Sequence, residues 1–500
     1  MSKPVNIVIV GGGTAGWMCA SALAAVVGEK ICTITLVESD EIASVGVGEA
    51  TLPHMREFNE RLGIDEADMM QQTNATFKLG IQFVDWGKMG NSYIHPFGKH
   101  GELIGGVNFH QQWQRIKHQQ NVKDIDAYSY AIESCIQNKF QFPSKNTDKI
   151  NSTYSYAYHF DASLYARYLR KFSEQKHVKR IEGQIISVAN DPDNGNITSV
   201  TLADGHSIGG DFFIDCSGFR SLLLKQNLGS EFDDWSTWLV CDKAFAVPSE
   251  NISPLAPYTR STAKKAGWQW KIPLLHRTGN GYVFCSKYIS DDEAVSSLLT
   301  GLDSKPLADP RLIKFKAGRY KKSWIKNCLA VGLSSGFLEP LESTSIYLIQ
   351  VAIINFIKLF PTTIPDDALI REYHRLMDCE YERVRDFLIL HYHLNQRDDS
   401  ELWRYCREMD IPASLSQKIT LFKHRGYVDN YKYGLFALPS WISVFNGQDL
   451  GQESIDPFAL NVPAHEVSSR LDNLLVDIKQ NLMTVPSQEI FIADYCRAKV

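Results

Sequence analysis

Residues 5 to 10 (VNIVIV) form a nearly continuous apolar run rich in β-branched side chains, the pattern of a strand buried on both faces. Glycines follow at once, and residues 17 to 27 (WMCASALAAVV) carry the small and apolar side chains of a helix packed on a sheet. A second strand, Thr33 to Val37, completes a βαβ unit, the beginning of a doubly wound parallel sheet. Far downstream, a turn-rich stretch at 191–196 (DPDNGN) precedes strand patterns at Ile197 to Leu202 and Phe212 to Ile214. They predict a β-meander returning to the same sheet. Residues 346 to 425 are mainly helical in pattern, with charges such as Glu380, Glu382, Arg383, Arg385 and Asp386 beside apolar positions. Within them, residues 346 to 360 are interrupted by Gln350, Asn355 and Lys358 and fall short of the roughly 20 residues of a membrane span, so a buried helix is expected. Residues 80 to 150 and 226 to 310 are mixed and aromatic, and pattern alone assigns them no elements.

Length and composition narrow the class. A chain of 500 residues is too long for one hydrophobic core, and with no repeat or Gly/Ser/Pro linker its modules are expected to interleave. Hydrophobic residues at 44% and charged residues at 22% exclude a disordered or fibrous polymer. Lys plus Arg is 52 against 57 for Asp plus Glu, a net charge of -5, which leaves no basic field for nucleic acid. The ten cysteines are scattered without a C-x-x-C pair, as for reduced thiols. With no leader segment before the first strand, a cytoplasmic location away from membranes is expected.

Candidate chemistry begins at Gly11-Gly12-Gly13-Thr14-Ala15-Gly16, a G-x-G-x-x-G between the first strand and its helix. Glycine there lets the turn close and the backbone approach a pyrophosphate lying on helix amides. Glu38 ends the second strand, placed to bind an adenosine ribose without a 2′-phosphate, so FAD or NAD is expected over NADP. Asp215-Cys216-Ser217-Gly218-Phe219-Arg220 and Cys328 to Leu333 return to the nucleotide domain late in the chain, which favours FAD.

These segments, with others, resemble the flavin-dependent tryptophan halogenases across nearly the whole chain. GGGTAGW (Gly11 to Trp17), VGVGEAT (Val45 to Thr51) and DCSGFRSLL (Asp215 to Leu223) resemble the family's flavin segments. WQWKIP (Trp268 to Pro273) matches its W-x-W-x-I-P signature, and FLEPLESTSI (Phe337 to Ile346) its halide and active-site segment. The resemblance implies an α/β flavoprotein monooxygenase-like fold: a Rossmann-type FAD-binding module at 1–60, 150–225 and 310–350, interleaved with a largely helical substrate module at 61–149, 226–309 and 351–500. It adds Ala50, Ile185, Leu333 and Ile346 to Gly11, Gly13, Thr14, Ala15, Gly16 and Glu38 as cofactor contacts.

The implied reaction forms a flavin hydroperoxide from reduced FAD and oxygen, and halide converts it to hypohalous acid, which reaches Lys78. Lys78, in TFKLGIQFVDW, corresponds to the family's essential lysine and Glu342 to its acidic partner. Read alone, Lys78 is a surface lysine and Glu342 a carboxylate favouring a helix N-terminus. Thr344 and Ser345 are implied halide sites. Ser345 stands where many relatives have Gly, and Ser tolerates positive φ poorly. Ser343, Thr344 and Ser345 also read as plain helix caps, and Trp268 and Trp270, on one strand face, as core aromatics that the family uses to screen the flavin. His95, Phe97 and Trp441 are implied to sandwich an aromatic substrate. Residues 430 to 448 contain neither Asp nor Glu, and Lys432 lies among them, so indole or a simple derivative is expected over a free amino acid. His391 and His393 face different ways on a helix, and no metal site is expected. The implied partners are a separate flavin reductase and a small aromatic substrate, with a homodimer left open; an FAD-dependent aromatic hydroxylase is the alternative.

Overall fold

The structure, a computed structural model, describes residues 3–40, 48–119, 121–361, 366–429 and 431–497. Val45, Gly46 and Val47 of the second flavin motif, and Asn430, lie outside the described residues. The chain divides into two compact units, one of Met1–Ala75, Phe160–Asp242 and Lys314–Glu382, the other of Thr76–His159, Lys243–Ile313 and Arg383–Val500.

The first unit is built on a six-stranded sheet with Val5–Val10 in its interior. Cys32–Glu38 pairs parallel to one side of it, in register from Val5 opposite Cys32 to Val10 opposite Val37. On the other side Phe212–Asp215 pairs parallel, with Val10 opposite Asp215, and carries Cys328–Ala330 beyond. Ile7, Val8 and Ile9 have no solvent exposure, which is why this strand reads as continuously apolar. The expected helix is α-helical over Thr14–Ala22 and widens to a π-helix over Leu23–Val27, ending at Gly28 with φ 81°. The expected meander corrects the sequence reading. Ile185–Asn190, Ile197–Leu202 and Ser207–Gly209 form a separate three-stranded sheet, and only Phe212–Asp215 returns to the parallel one. One-sided burial is the reason: Ile197, Val200 and Leu202 pack on Val8, Val10 and Phe213 while Thr198 faces solvent, so these strands cap the main sheet instead of extending it.

The second unit carries a seven-stranded sheet that pattern did not resolve, ordered 311–314, 243–249, 278–284, 267–273, 259–264, 80–84 and 92–96. From 243–249 to 92–96 its pairs are antiparallel, except that Thr259–Lys264 runs parallel to Gly80–Val84. The helical pattern downstream is realised as Thr344–Lys358, Asp367–His393, Glu401–Glu408 and Ala413–Arg425, followed by Leu438–Gly447, Ala464–Met483 and Gln488–Arg497. Among the described residues no helix is long and apolar enough to cross a membrane.

Asp215 ties the first unit together. Its fully buried carboxylate accepts hydrogen bonds from the Ser217 amide and hydroxyl at 3.0 and 2.6 Å and from the Leu223 and Leu224 amides at 2.8 and 2.9 Å. Asp215→Asn replaces one accepting oxygen with an NH2 group that faces donors. It should destabilise this unit by roughly 3 kcal/mol, the scale of a hydrogen bond to a charged group left unmade, read as a lowered urea midpoint.

Candidate active site

Each glycine of the first loop has its own task. A Cβ on Gly11, whose φ is +108°, would lie 2.3 Å from the Cys216 carbonyl oxygen, and one on Gly16 would lie 1.8 Å from the Gly11 oxygen. These two positions keep strand and helix close. A Cβ on Gly13 meets nothing within 4 Å, so the space beside it is free for a ligand. The helix that starts at Thr14 has no side-chain cap and no acidic residue in its first turn, so its amides and dipole are left for an anion. This cradle fits a dinucleotide pyrophosphate.

Glu38 stands beside the loop but not among neutral groups. Arg180 Nε donates to its Oε1 at 2.5 Å, Trp17 Nε1 donates to its Oε2 at 3.3 Å, and Arg170 lies 3.7 Å away. The tertiary structure brings these two arginines to the strand end from elsewhere in the unit. Leu333 lies on the turn Gly332–Ser334, where a Cβ on Gly332 would come 2.8 Å from that of Ala15, so this turn reaches the loop. Ala50 and Ile346 are buried in the same unit, whereas Ile185 packs on the side cluster containing Val10 and Val37.

Glu342 has 1% exposure and a left-handed backbone, φ 63° and ψ 5°, and Ser343 follows at φ 59° and ψ 36°. Two consecutive non-glycine residues in this region store strain of order 1–3 kcal/mol each. The expected strain at Ser345 is therefore misplaced, because Ser345 is already helical and the strain sits two and three residues earlier. The plain-cap reading also needs correction: Ser343 is the N-cap but makes no side-chain capping bond. The first amides of Thr344–Lys358, those of Thr344 and Ser345 among them, have no intrahelical partner.

In the second unit, Lys78 has no solvent exposure. It ends the short strand Thr76–Lys78, paired antiparallel with residues 157–159. Alternation sends Phe77 to one face, where it stacks on Phe140 at 3.7 Å with Tyr156 and Phe491 edge-on. Thr76 and Lys78 share the other face, and the Lys78 ammonium lies 5.1 Å from the centre of the Phe97 ring. His95, 2% exposed, contacts Phe387 and Phe436, and Phe387 meets Trp441 edge-on at 5.1 Å. Lys78 thus meets Phe97, and His95 and Trp441 are joined to each other through Phe387. Trp268 and Trp270 are buried with ring centres 6.1 Å apart, Trp270 lying over Gly281, so core packing is part of their role. His391 stacks on Phe83 at 4.5 Å, and His393 Nδ1 lies 3.2 Å from the Cys406 carbonyl oxygen.

Sequence reasoning missed two titratable groups. His159 is directly opposite Thr76. The Thr76 hydroxyl donates to the Pro273 carbonyl at 2.7 Å and so accepts from His159 Nδ1 at 3.1 Å, which leaves His159 Nε2 to accept from the Thr259 hydroxyl at 2.9 Å. Burial, with the Lys78 charge nearby, holds His159 well below the usual histidine pKa. A neutral imidazole therefore stands beside the lysine. Glu49, inside the VGVGEAT motif, is pushed up to about 7 by burial although its surface is partly exposed. The motif itself was the signal for Glu49, whereas nothing local marks His159, whose partners lie in distant segments.

Comparison with known proteins agrees with this geometry. The family model described as tryptophan halogenase matches residues 6–464. The chain is 37% identical to tryptophan 6-halogenase SttH of Streptomyces toxytricini, over 84% of each chain. Among solved structures it is similar to Xcc4156, a flavin-dependent halogenase from Xanthomonas campestris, and to BrvH, a flavin-dependent halogenase from Brevundimonas sp. BAL3. Each is 42% identical over 99% of both chains, with TM-scores of 0.95 and 0.94. Together with the flavin cradle and the buried lysine, these matches select halogenation with FAD and halide over aromatic hydroxylation, and the chain belongs to the tryptophan halogenase family.

Proposed function

We propose that this halogenase acts on indole or a simple indole derivative, with Lys78 handling the electrophilic halogen and Glu342 the ring proton. The observation that carries the reading is Lys78 itself: fully buried, with its ammonium 5.1 Å from the centre of the Phe97 ring. Residues 430–448 contain no carboxylate to hold the ammonium of a free amino acid, which supports the simpler indole.

Gly11, Gly13, Thr14, Ala15, Gly16, Glu38, Ala50, Leu333 and Ile346 would hold FAD, which in its reduced state would supply the oxygen chemistry that turns halide into hypohalous acid. The remaining work falls to the chain. Amides at Thr344 and Ser345 hold halide at a positive helix end. The Lys78 ammonium donates a hydrogen bond to hypohalous acid and fixes it for attack. A ring carbon then bonds to halogen, the halogen–oxygen bond breaks, and the departing hydroxide takes a proton from the Lys78 ammonium and leaves as water, the lysine regaining that proton from solvent. The Glu342 carboxylate takes the proton released from that carbon. Trp268 and Trp270 keep the organic substrate from the flavin. Reduced FAD arrives by diffusion from a separate flavin reductase in the cytoplasm, and the chain works as a monomer or a homodimer.

The test supplies reduced FAD, oxygen, bromide and indole and reads the product by mass spectrometry: bromoindole is expected, and hydroxyindole overturns the reading. In the same assay Lys78→Ala should abolish product while FAD binding persists. Glu342→Gln should lower turnover by about 10²- to 10⁴-fold, with free hypohalite accumulating; unchanged turnover would return Glu342 to a purely structural role. The glycines separate fold from function. Gly13→Val should fold normally yet weaken FAD binding at least roughly tenfold in a titration, whereas Gly16→Val should fail to fold stably, because its Cβ would collide with backbone 1.8 Å away.

A further inference from the structure

The aromatic set around Trp441 continues into a pair of cations that the reaction above does not use. Lys418, on the helix Ala413–Arg425, is 3% exposed, and among the described residues its ammonium donates one hydrogen bond, 2.6 Å to the Asp429 carbonyl oxygen. The same nitrogen lies 4.6 Å from the centre of the Trp441 ring and 4.1 Å from that of Tyr431. Arg383 places its guanidinium 4.1 Å from the Tyr431 ring centre, and its Nη1 is buried with no hydrogen-bond partner among the described residues. An ammonium has three donors and a guanidinium five, so both heads keep donors to spare. The neighbouring carboxylates do not absorb them. Asp386 is bound by Arg385 at 2.8 Å and by the Ser414 hydroxyl at 2.5 Å, and Asp429 is exposed and turns its backbone oxygen to Lys418. Burial and the like charge of Arg383 outweigh Asp429 and Asp386 and pull Lys418 down to about 8.

A buried charge calls for a counter-charge. We propose that Lys418 and Arg383 form an anion subsite beside Trp441, so that the substrate is an aromatic acid, an indole-type ring carrying a carboxylate and no ammonium. The inference rests on the reading of Trp441 as a substrate-binding residue. A carboxylate completes the unused donors of both cations, bidentate on the Arg383 fork. An amine-bearing ring would instead bring a third positive charge to Tyr431.

Calorimetric titration of the full-length protein with indole-3-acetate, indole and tryptamine tests this without turnover. A failure of bromination would then strike the activity reading and leave the subsite result standing on its own. Indole-3-acetate should bind at least roughly tenfold tighter than tryptamine, the scale of one charge-assisted contact. In Lys418→Met the ratio of indole to indole-3-acetate dissociation constants should collapse toward one, and Lys418→Arg should restore it; a thermal melt with FAD confirms that each variant is folded. Should Lys418→Met not fold, Arg383→Met carries the same ratio test. Tryptamine binding as tightly as indole-3-acetate, an unchanged ratio in a folded variant, or no binding of any of the three probes would each overturn the proposal.

Discussion

A lysine with no solvent exposure is the constraint around which the second unit is arranged. Removing an ammonium from water costs several kcal/mol unless nearby groups replace its hydration. The strand that carries Lys78 is only three residues long, so its position depends on what clamps each side. Phe77 anchors one face in a stack of aromatic rings. Thr76 anchors the other through the Pro273 carbonyl and the neutral ring of His159. An imidazolium at that place would set a second cation against the lysine. Burial, with Lys78 nearby, holds the ring in its uncharged form.

The first unit solves a different problem, that of holding anions without spending side chains on them. Two helix starts are prepared in contrasting ways. At Thr14 the glycines leave amides uncapped and space open beside Gly13, so a phosphate group can approach the backbone. At Thr344 the helix is entered through two left-handed residues, Glu342 and Ser343, which turn the chain sharply and bury the Glu342 carboxylate just before the helix begins. A carboxylate aimed differently would fill the same dipole that a halide needs. Strained backbone is therefore what would allow one short segment to serve both a carboxylate and the proposed anion site.

Cation placement recurs as a device across the molecule, and its consequence depends on what surrounds each charge. Arg180 and Arg170 neutralise Glu38 and rigidify the strand end where a ribose is expected. Lys418 and Arg383 meet the ring face of Tyr431, and the nearby Asp386 is already engaged by Arg385 and Ser414, which leaves donors for an incoming anion.

Local sequence carried much of this. The apolar run at Val5–Val10, the glycines after it and the Cys32–Glu38 strand specify a nucleotide-binding βαβ unit because period, chain length and φ requirements are properties of neighbouring residues. Lys78, Glu342 and the tryptophan pair were singled out only by the resemblance of their motifs to a family; read alone, Lys78 was expected at the surface, and its burial is a product of the fold. What sequence could not supply were relations between distant segments. The seven-stranded sheet joins strands from 80–96 with strands from 243–314, and its mixed aromatic strands show no clean alternation because both faces are largely covered. The neutral tautomer of His159 depends on Thr76 and Thr259, 83 and 100 residues away. Tertiary structure alone moved the strain from Ser345 to Glu342 and Ser343, since left-handed backbone in non-glycine residues is imposed by packing. It also brought Arg383 and Lys418 onto Tyr431, a charge pattern that exists only once three separate segments have folded against one another.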